Sequence, residues 1–210
     1  MEKPVVSPCG GEPADIDHAG AVMASALDIL FLQARTHHAW SKRPVDQKLL
    51  RQLYSLAKWG PTAANSSPMR IVFICGQQAR ERLVPCLHPE NVAQTLEAPV
   101  TAVIGYDKSF HELIPRLFPI KPELADLFKG DERLAFQNGS LQGGYFIIAA
   151  RALGLDCGPM TGFDREALNA EFFPDGRIEA NFLCNLGYGD PARLLPRSPR
   201  LEFDEACRVI

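Results

Sequence analysis

The chain has 210 residues, 46% hydrophobic and 22% charged, with 22 basic against 25 acidic side chains and a formal net charge of −3. Balanced charge leaves no basic footprint for nucleic acid, and the aliphatic content is too high for a disordered chain. The length suits one domain with a sizeable core, and no stretch reaches the roughly 18 apolar residues that span a bilayer.

Residues 1–20 hold Pro, Gly and acidic residues without periodicity, so they read as a flexible arm ahead of a single domain over 21–210. No apolar stretch of the signal-peptide kind stands there, and the expectation is a cytoplasmic protein that acts on small molecules, not on a membrane. Over 21–35, Val22, Leu27, Ile29, Leu30 and Phe31 suit a helix. A second helix is sharper: Asp46 is a plausible N-cap, Leu49, Leu50, Leu53, Leu56 and Ala57 follow at helical spacing, and Gly60-Pro61 ends it. RIVFIC (70–75) predicts a strand, 77–87 a helix, and PVTAVIGY (99–106) a second, buried strand. Residues 109–130 carry three prolines and three phenylalanines and read as an irregular excursion.

The longest helical pattern runs over 133–153 and stops at Gly154. Gly139, Gly143 and Gly144 inside it cost about 1 kcal/mol each against alanine, which suggests close approach of another backbone, such as an opposing helix. IEANFLCNL (178–186) is the last strand. Helices and short strands alternate irregularly, so the fold class is α+β or α/β, a sandwich of sheet and helices. The cysteines are Cys9, Cys75, Cys86, Cys157, Cys184 and Cys207; none forms a CxxC pair or sits at zinc-ligand spacing from a histidine, and no metal is expected. Cys75 and Cys184 lie in apolar runs and read as buried thiols.

GxSxG, HExxH, a phosphate-binding P-loop and GxGxxG are all missing. A cysteine–histidine hydrolase would need a thiol beside His88 or His111, and no spacing supports that. Three clusters remain. Arg35-Thr36-His37-His38-Ala39-Trp40 follows a helix; Arg, hydroxyl and imidazole together can hold a phosphate, although cations at a helix C-terminus are also routine caps. Residues 59–68, WGPTAANSSP, are small enough to let a flat ligand approach the backbone, or form a plain turn. Residues 154–162, GLDCGPMTG, make a third small-residue loop.

Taken in order, ARTHHAW, KWGPTAANSSPMRIVF, RALGLDCGPMTGFDR and NLGYGD resemble the FMN-dependent nitroreductase family, and within it the malonic-semialdehyde reductase subgroup of pyrimidine breakdown. The resemblance spans about residues 26–210. It implies a three-layer sandwich with a mixed central sheet, an obligate homodimer, and two FMN sites each built from both chains. NADH or NADPH is the implied hydride donor, and ping-pong transfer through the flavin N5 needs no catalytic side chain.

Residue by residue, the resemblance places Arg35, Thr36 and His38 on the phosphate motif. Pro61, Thr62, Ala63 and Asn65 fall on the loop that reaches the flavin from the partner, with Thr62 and Ala63 replacing a pair of serines and Ser67 standing where glutamine is usual. Asn91 and Gln94 match ribityl-contacting positions. Pro159, Met160, Thr161 and Gly162 match the segment facing N5, and Arg197 and Arg200 a C-terminal basic pair for the phosphate. A semialdehyde acid requires a cation for its carboxylate, and Arg70 and Arg116 are the candidates, with Phe110, His111, Phe118 and Phe128 as an aromatic wall. The implied reaction is reduction of malonic semialdehyde to 3-hydroxypropionate. The alternatives are broad reduction of nitroaromatics or quinones, or a flavin-binding protein without turnover.

Overall fold

The computed structural model describes residues 24–210, so the expected arm at 1–20 and the start of the first helix lie outside the described residues. Among the described residues four strands form one sheet in the order β1-β2-β4-β3: β1 (Met69–Cys75), β2 (Val100–Asp107), β3 (Asp156–Met160) and β4 (Ile178–Gly187). Every neighbouring pair is antiparallel. The sheet is therefore not mixed in its strands: its parallel element is a single bridge, Thr36 to Cys157, at the β3 edge. Gly158 and Pro159 give β3 the look of a loop in the sequence, and pairing with β4 supplies the strand that propensity does not.

Helices cover both faces. On one lie α2 (Gln47–Ala57) and α7 (Glu132–Ala152), packed through Leu50, Leu53, Phe146 and Ala150 onto Ala102, Ile104, Cys184 and Leu186. On the other, α3 (Gln77–Leu83) and α8 (Arg165–Phe172) bring Leu83 and Leu168 onto Ile74, Val103, Ala180 and Leu183. α4 (Pro89–Glu97) adds Val92 to that side. Every residue of β2 is buried, which explains its near-continuous apolar run in an antiparallel sheet: it is covered on both sides. The chain before α2 is a short α-helix (Ala24–Leu27) continuing into a π-helical turn (Asp28–Leu32), here α1.

Local chemistry sets the helix ends. Asp46, Asp131 and Asp164 cap α2, α7 and α8 by accepting from the amides of Lys48, Leu134 and Ala167 at 2.8, 2.8 and 3.0 Å. Gly154, at φ +75°, reverses the chain after α7. Two of the glycines within α7 face their own sheet and not an opposing helix. A Cβ on Gly139 would meet Tyr106 at 3.0 Å and one on Gly143 would meet Phe182 at 2.5 Å, so these glycines let α7 settle onto side chains of its own sheet. Gly144 faces open space.

Residues 109–130 are less irregular than expected. A 3-10 turn (Phe110–Leu113), α5 (Ile114–Leu117) and α6 (Leu124–Leu127) wrap a small core in which Phe110, fully buried, lies 6.2 Å from Phe128 between ring centroids. Cys184 is buried as read, whereas Cys75, the last residue of an edge strand, is exposed.

Candidate functional site

The segment after α1 runs along the β3 edge of the sheet. The His37 amide donates to the Cys157 carbonyl at 3.0 Å, Ser41 donates to Tyr188 at 2.8 Å, and Asp190 donates back to Ala39 at 3.0 Å. This sets His38 beside α4, where its Nδ1 lies 2.7 Å from Oε1 of Gln94. Gln94 in turn donates to Asn91 Oδ1 at 2.6 Å, and Asn91 donates to the Gly162 carbonyl at 2.8 Å. The His88 amide reaches the same carbonyl at 3.1 Å. His38, Asn91, Gln94 and Gly162, scattered over more than 120 positions, thus form one hydrogen-bonded chain at the end of β3. Met160 joins it through weak sulfur contacts at 3.9 Å from Gln94 and Thr95. A Cβ on Gly162 would collide with the Asn91 side-chain amide, so a larger residue there would displace the Asn91 amide from this chain.

A cavity of about 310 Å³ opens over this group, lined by His38, Glu90, Ala93, Gln94, Glu97 and Arg193. Glu97 bonds Arg193 at 2.7 Å and accepts from the Trp40 amide at 3.1 Å. The Arg193 guanidinium holds its carboxylate below the ordinary range.

The basic residues assigned to the phosphate divide. Arg197 donates to the carbonyls of Leu32 and Ala34 at 2.8 and 3.1 Å, and Arg35 donates to the Leu195 carbonyl, so Arg35 and Arg197 meet at the end of α1. Arg200 bonds only the carbonyls of Ser198 and Pro199, its own neighbours, and is not drawn to that group. Neither Arg35 nor Arg197 has an acidic partner among the described residues, and Thr36 is exposed between them and His38. Two guanidiniums satisfied by neutral carbonyls, next to a hydroxyl and an imidazole, fit a phosphate monoester. Sequence reasoning passed over His37, which is buried, with Nε2 3.5 Å from Asp156; Gly189 packs on its ring so closely that a Cβ there would overlap it.

The loop at 61–68 sits at the opposite edge, leading into β1. Ala64, Asn65 and Ser67 adopt φ of 49°, 49° and 44°, the left-handed region that L-residues avoid. Side chains from several elements impose it. Asn138 of α7 accepts from the Ala63 amide at 2.8 Å, Thr62 Oγ1 accepts from the Ser67 amide at 3.1 Å, and Asn65 donates to the Leu117 carbonyl of α5 at 2.9 Å. The Thr62 hydroxyl and the Asn65 amide are thus committed to loop geometry, and the exposed Pro61 and Ala63 offer backbone and apolar surface. Three strand intervals of about 4.8 Å part β1 from β3, so some 14 Å of sheet separates this loop from the Asn91–Gly162 group within one chain.

Of the residues proposed for substrate, Phe110 is corrected. It is fully buried against Tyr106, Ala135 and Phe128, and cannot line an open pocket. Phe128 packs with it. Arg70 is engaged inside the chain: Nη2 bonds Asp107 at 2.7 Å, and Nη1 bonds the carbonyls of Ser67 and Met69 at 3.0 and 2.9 Å. Arg116 is exposed on α5 and has no ion-pair partner among the described residues.

Three of the described thiols are poor nucleophiles. Burial pushes Cys75 and Cys86 up, and Cys184 is pushed up by its hydrogen bond with Cys157 and by burial. Among the described residues no group of three His, Cys, Asp or Glu side chains could hold a metal ion, and no helix is long and apolar enough to cross a membrane.

Comparison with known proteins agrees with this architecture. Residues 32–188 match the model of the nitroreductase family. A relative from Ralstonia nicotianae, provisionally named NADH dehydrogenase/NAD(P)H nitroreductase, is 54% identical over 190 residues, covering 89% of this chain and 97% of its own. The crystal structure of a provisionally named nitroreductase from Bacillus subtilis superposes with a TM-score of 0.78 at 19% identity, over 90% of this chain and all of the other. One from Exiguobacterium sibiricum, crystallised with FMN, gives 0.76 at 15% identity over 88% and 96% of the two chains. The match over most of the chain, with close relatives covered almost end to end, places this protein in the nitroreductase family.

Proposed function

We propose that this chain reduces malonic semialdehyde to 3-hydroxypropionate as a homodimer whose flavin sites are each completed by both chains. As a member of its family it is an FMN-dependent NAD(P)H oxidoreductase. When bound, FMN supplies the hydride chemistry, accepting from the nicotinamide and donating to the second substrate.

The protein's own groups bind and orient. Arg35 and Arg197, with Thr36 and His38, would hold the phosphate; Asn91 and Gln94 would meet the ribityl hydroxyls; Pro159, Met160, Thr161 and Gly162 would face the ring edge. The exposed Pro61 and Ala63 of the loop at 61–68 would offer apolar surface to the other face. That loop and the Asn91–Gly162 group lie at opposite edges of one sheet, which supports a site completed by a second copy. An apolar strip on α7, with Phe136, Leu141 and Tyr145 each at least 43% exposed, supports such a contact.

The single observation that carries the acid substrate is Arg116: an exposed cation without an ion-pair partner among the described residues, one position from the Leu117 carbonyl that Asn65 anchors to the loop. A second reading, reduction of neutral nitroaromatics or quinones, is favoured by the commitment of Arg70 to Asp107 and by the names of the relatives. Arg116→Ala separates the two. If Arg116 holds the carboxylate, KM for malonic semialdehyde rises and kcat/KM falls ten- to a hundredfold while a neutral nitroaromatic is reduced as before. Equal losses on both substrates would assign Arg116 to holding the excursion and leave the neutral acceptors as the substrates.

A further inference from the structure

Asp107 takes no part in the assignments above, yet it is 1% exposed and accepts four hydrogen bonds. Nη2 of Arg70 donates at 2.7 Å, Nε and Nη2 of Arg177 at 3.0 and 3.1 Å, and the Ser109 amide at 2.9 Å. The partners belong to different segments. Arg70 follows the strained loop and also ties down the Ser67 carbonyl at 3.0 Å, while the Asp107 amide donates to Pro68 at 2.9 Å. Ser109 opens the excursion, and Arg177 reaches into it again through Glu112 at 2.8 Å.

We propose that Asp107 is a positioning residue that sets the loop at 61–68 through Arg70, and the excursion carrying Arg116 through Arg177 and Ser109. The proposal rests on the reading that these two segments face flavin and substrate. A buried carboxylate between two guanidiniums is compensated on both sides, and Arg177 is held firmly charged by it. An amide in its place keeps the shape but removes the charge that holds both cations, and one of its two oxygens becomes a donor. Left-handed L-residues persist only where their surroundings over-determine them, so Ala64, Asn65 and Ser67 are where such a loss surfaces first. Thr62 and Asn138 still hold the loop from the other side, which confines the effect to conformation and mobility.

The test compares Asp107→Asn, Arg70→Gln and Arg177→Lys in the full chain with wild type. Amide hydrogen exchange on flavin-free protein is followed by FMN titration and by KM for malonic semialdehyde against a neutral nitroaromatic. Asp107→Asn should speed exchange about tenfold or more in 62–69 and in 109–117, with β4 and α7 unchanged, and raise the FMN Kd at least fivefold. Arg70→Gln should affect the first segment alone, and Arg177→Lys the second alone, raising KM for the acid and not for the neutral acceptor. Should Asp107→Asn fail to fold, the two arginine variants carry the test, since their side chains are 29% and 39% exposed. Unchanged exchange in both segments, or a uniform acceleration across the molecule with a lower Tm, overturns the proposal. Arg35→Ala, whose guanidinium bonds neither segment, isolates the underlying reading. If it weakens FMN binding while Asp107→Asn does not, the positioning role fails alone; if neither changes the FMN Kd, the flavin assignment fails with it.

Discussion

Two short stretches of small residues, 61–68 at the β1 edge and 159–162 at the β3 edge, look alike as sequence and are built differently. The second inherits its shape from backbone pairing: Pro159 and Met160 sit opposite Cys184 and Leu183 in the sheet, and Gly162 is fixed by Asn91 and by the His88 amide. The first has no ladder. Three residues in left-handed conformation are held by side chains of α7, β1 and the loop itself, and Asn65 ties the loop to α5. A surface formed by strand pairing tolerates loss of a side chain and resists loss of backbone room; a loop held by side chains behaves the opposite way.

Substitutions that exchange those dependencies break the comparison most sharply. On the β3 side, Gly158→Ala puts a Cβ 2.5 Å from the His37 carbonyl, backbone against backbone, where neither can give. It should cost about 1–3 kcal/mol or more, read by urea unfolding, and free the segment carrying Thr36 and His38. An unchanged midpoint would mean this edge is looser than drawn.

On the loop side, Asn138→Ala removes the acceptor of the Ala63 amide and a 3%-exposed side chain. The expected loss is about 1–3 kcal/mol, with faster exchange at Ala63 to Ser67 and none at Gly162. Arg35→Ala should leave stability nearly untouched, because its partner is one exposed carbonyl. It should weaken FMN binding by about 1.5–3 kcal/mol, read by titration of flavin-free protein.

The smallest effect is a pH signature of the β1 side. Burial, with Glu179 beside it, pushes the Tyr106 hydroxyl up to about 12, and Tyr106 stands opposite Met69 where the loop enters β1. Since the folded value lies above the unfolded one, this contribution is intact below about pH 10 and is lost as pH rises towards 12. Tyr106→Phe should flatten stability over that window; a window that persists in the variant assigns it to another group.

How much of this was legible follows the same division. β1, β2 and β4 announce themselves by apolar runs, and α2 by Asp46 and its leucine spacing. β3 does not, since Asp-Cys-Gly-Pro-Met becomes a strand only by lying against β4. α8 does carry a local signal, the Asp164 cap followed by Leu168. The order of the small-residue motifs pointed to the family, but what holds them did not show. Ala63 and Asn138 are 75 positions apart, Asp107 and Arg177 are 70, and Arg70 and Asp107 are 37. No local pattern joins such pairs. Phe110 shows the converse limit: a phenylalanine in a polar, proline-rich stretch reads as a pocket wall, and only the three-dimensional packing with Phe128 reveals core.

The central claim, that each flavin site takes the Arg35 group from one chain and the loop from its partner, is tested most directly by subunit mixing. Arg35→Ala damages one half-site and Ala63→Asp the other; each variant alone should bind FMN weakly. Unfolded together at equal amounts and refolded, half of the dimers formed at random carry both kinds of chain, and each of these holds one fully intact site. The account predicts that tight FMN binding returns in the mixture to about a quarter of all sites. If mixing restores nothing, both halves of each site lie in the same chain, and the shared-site account is wrong.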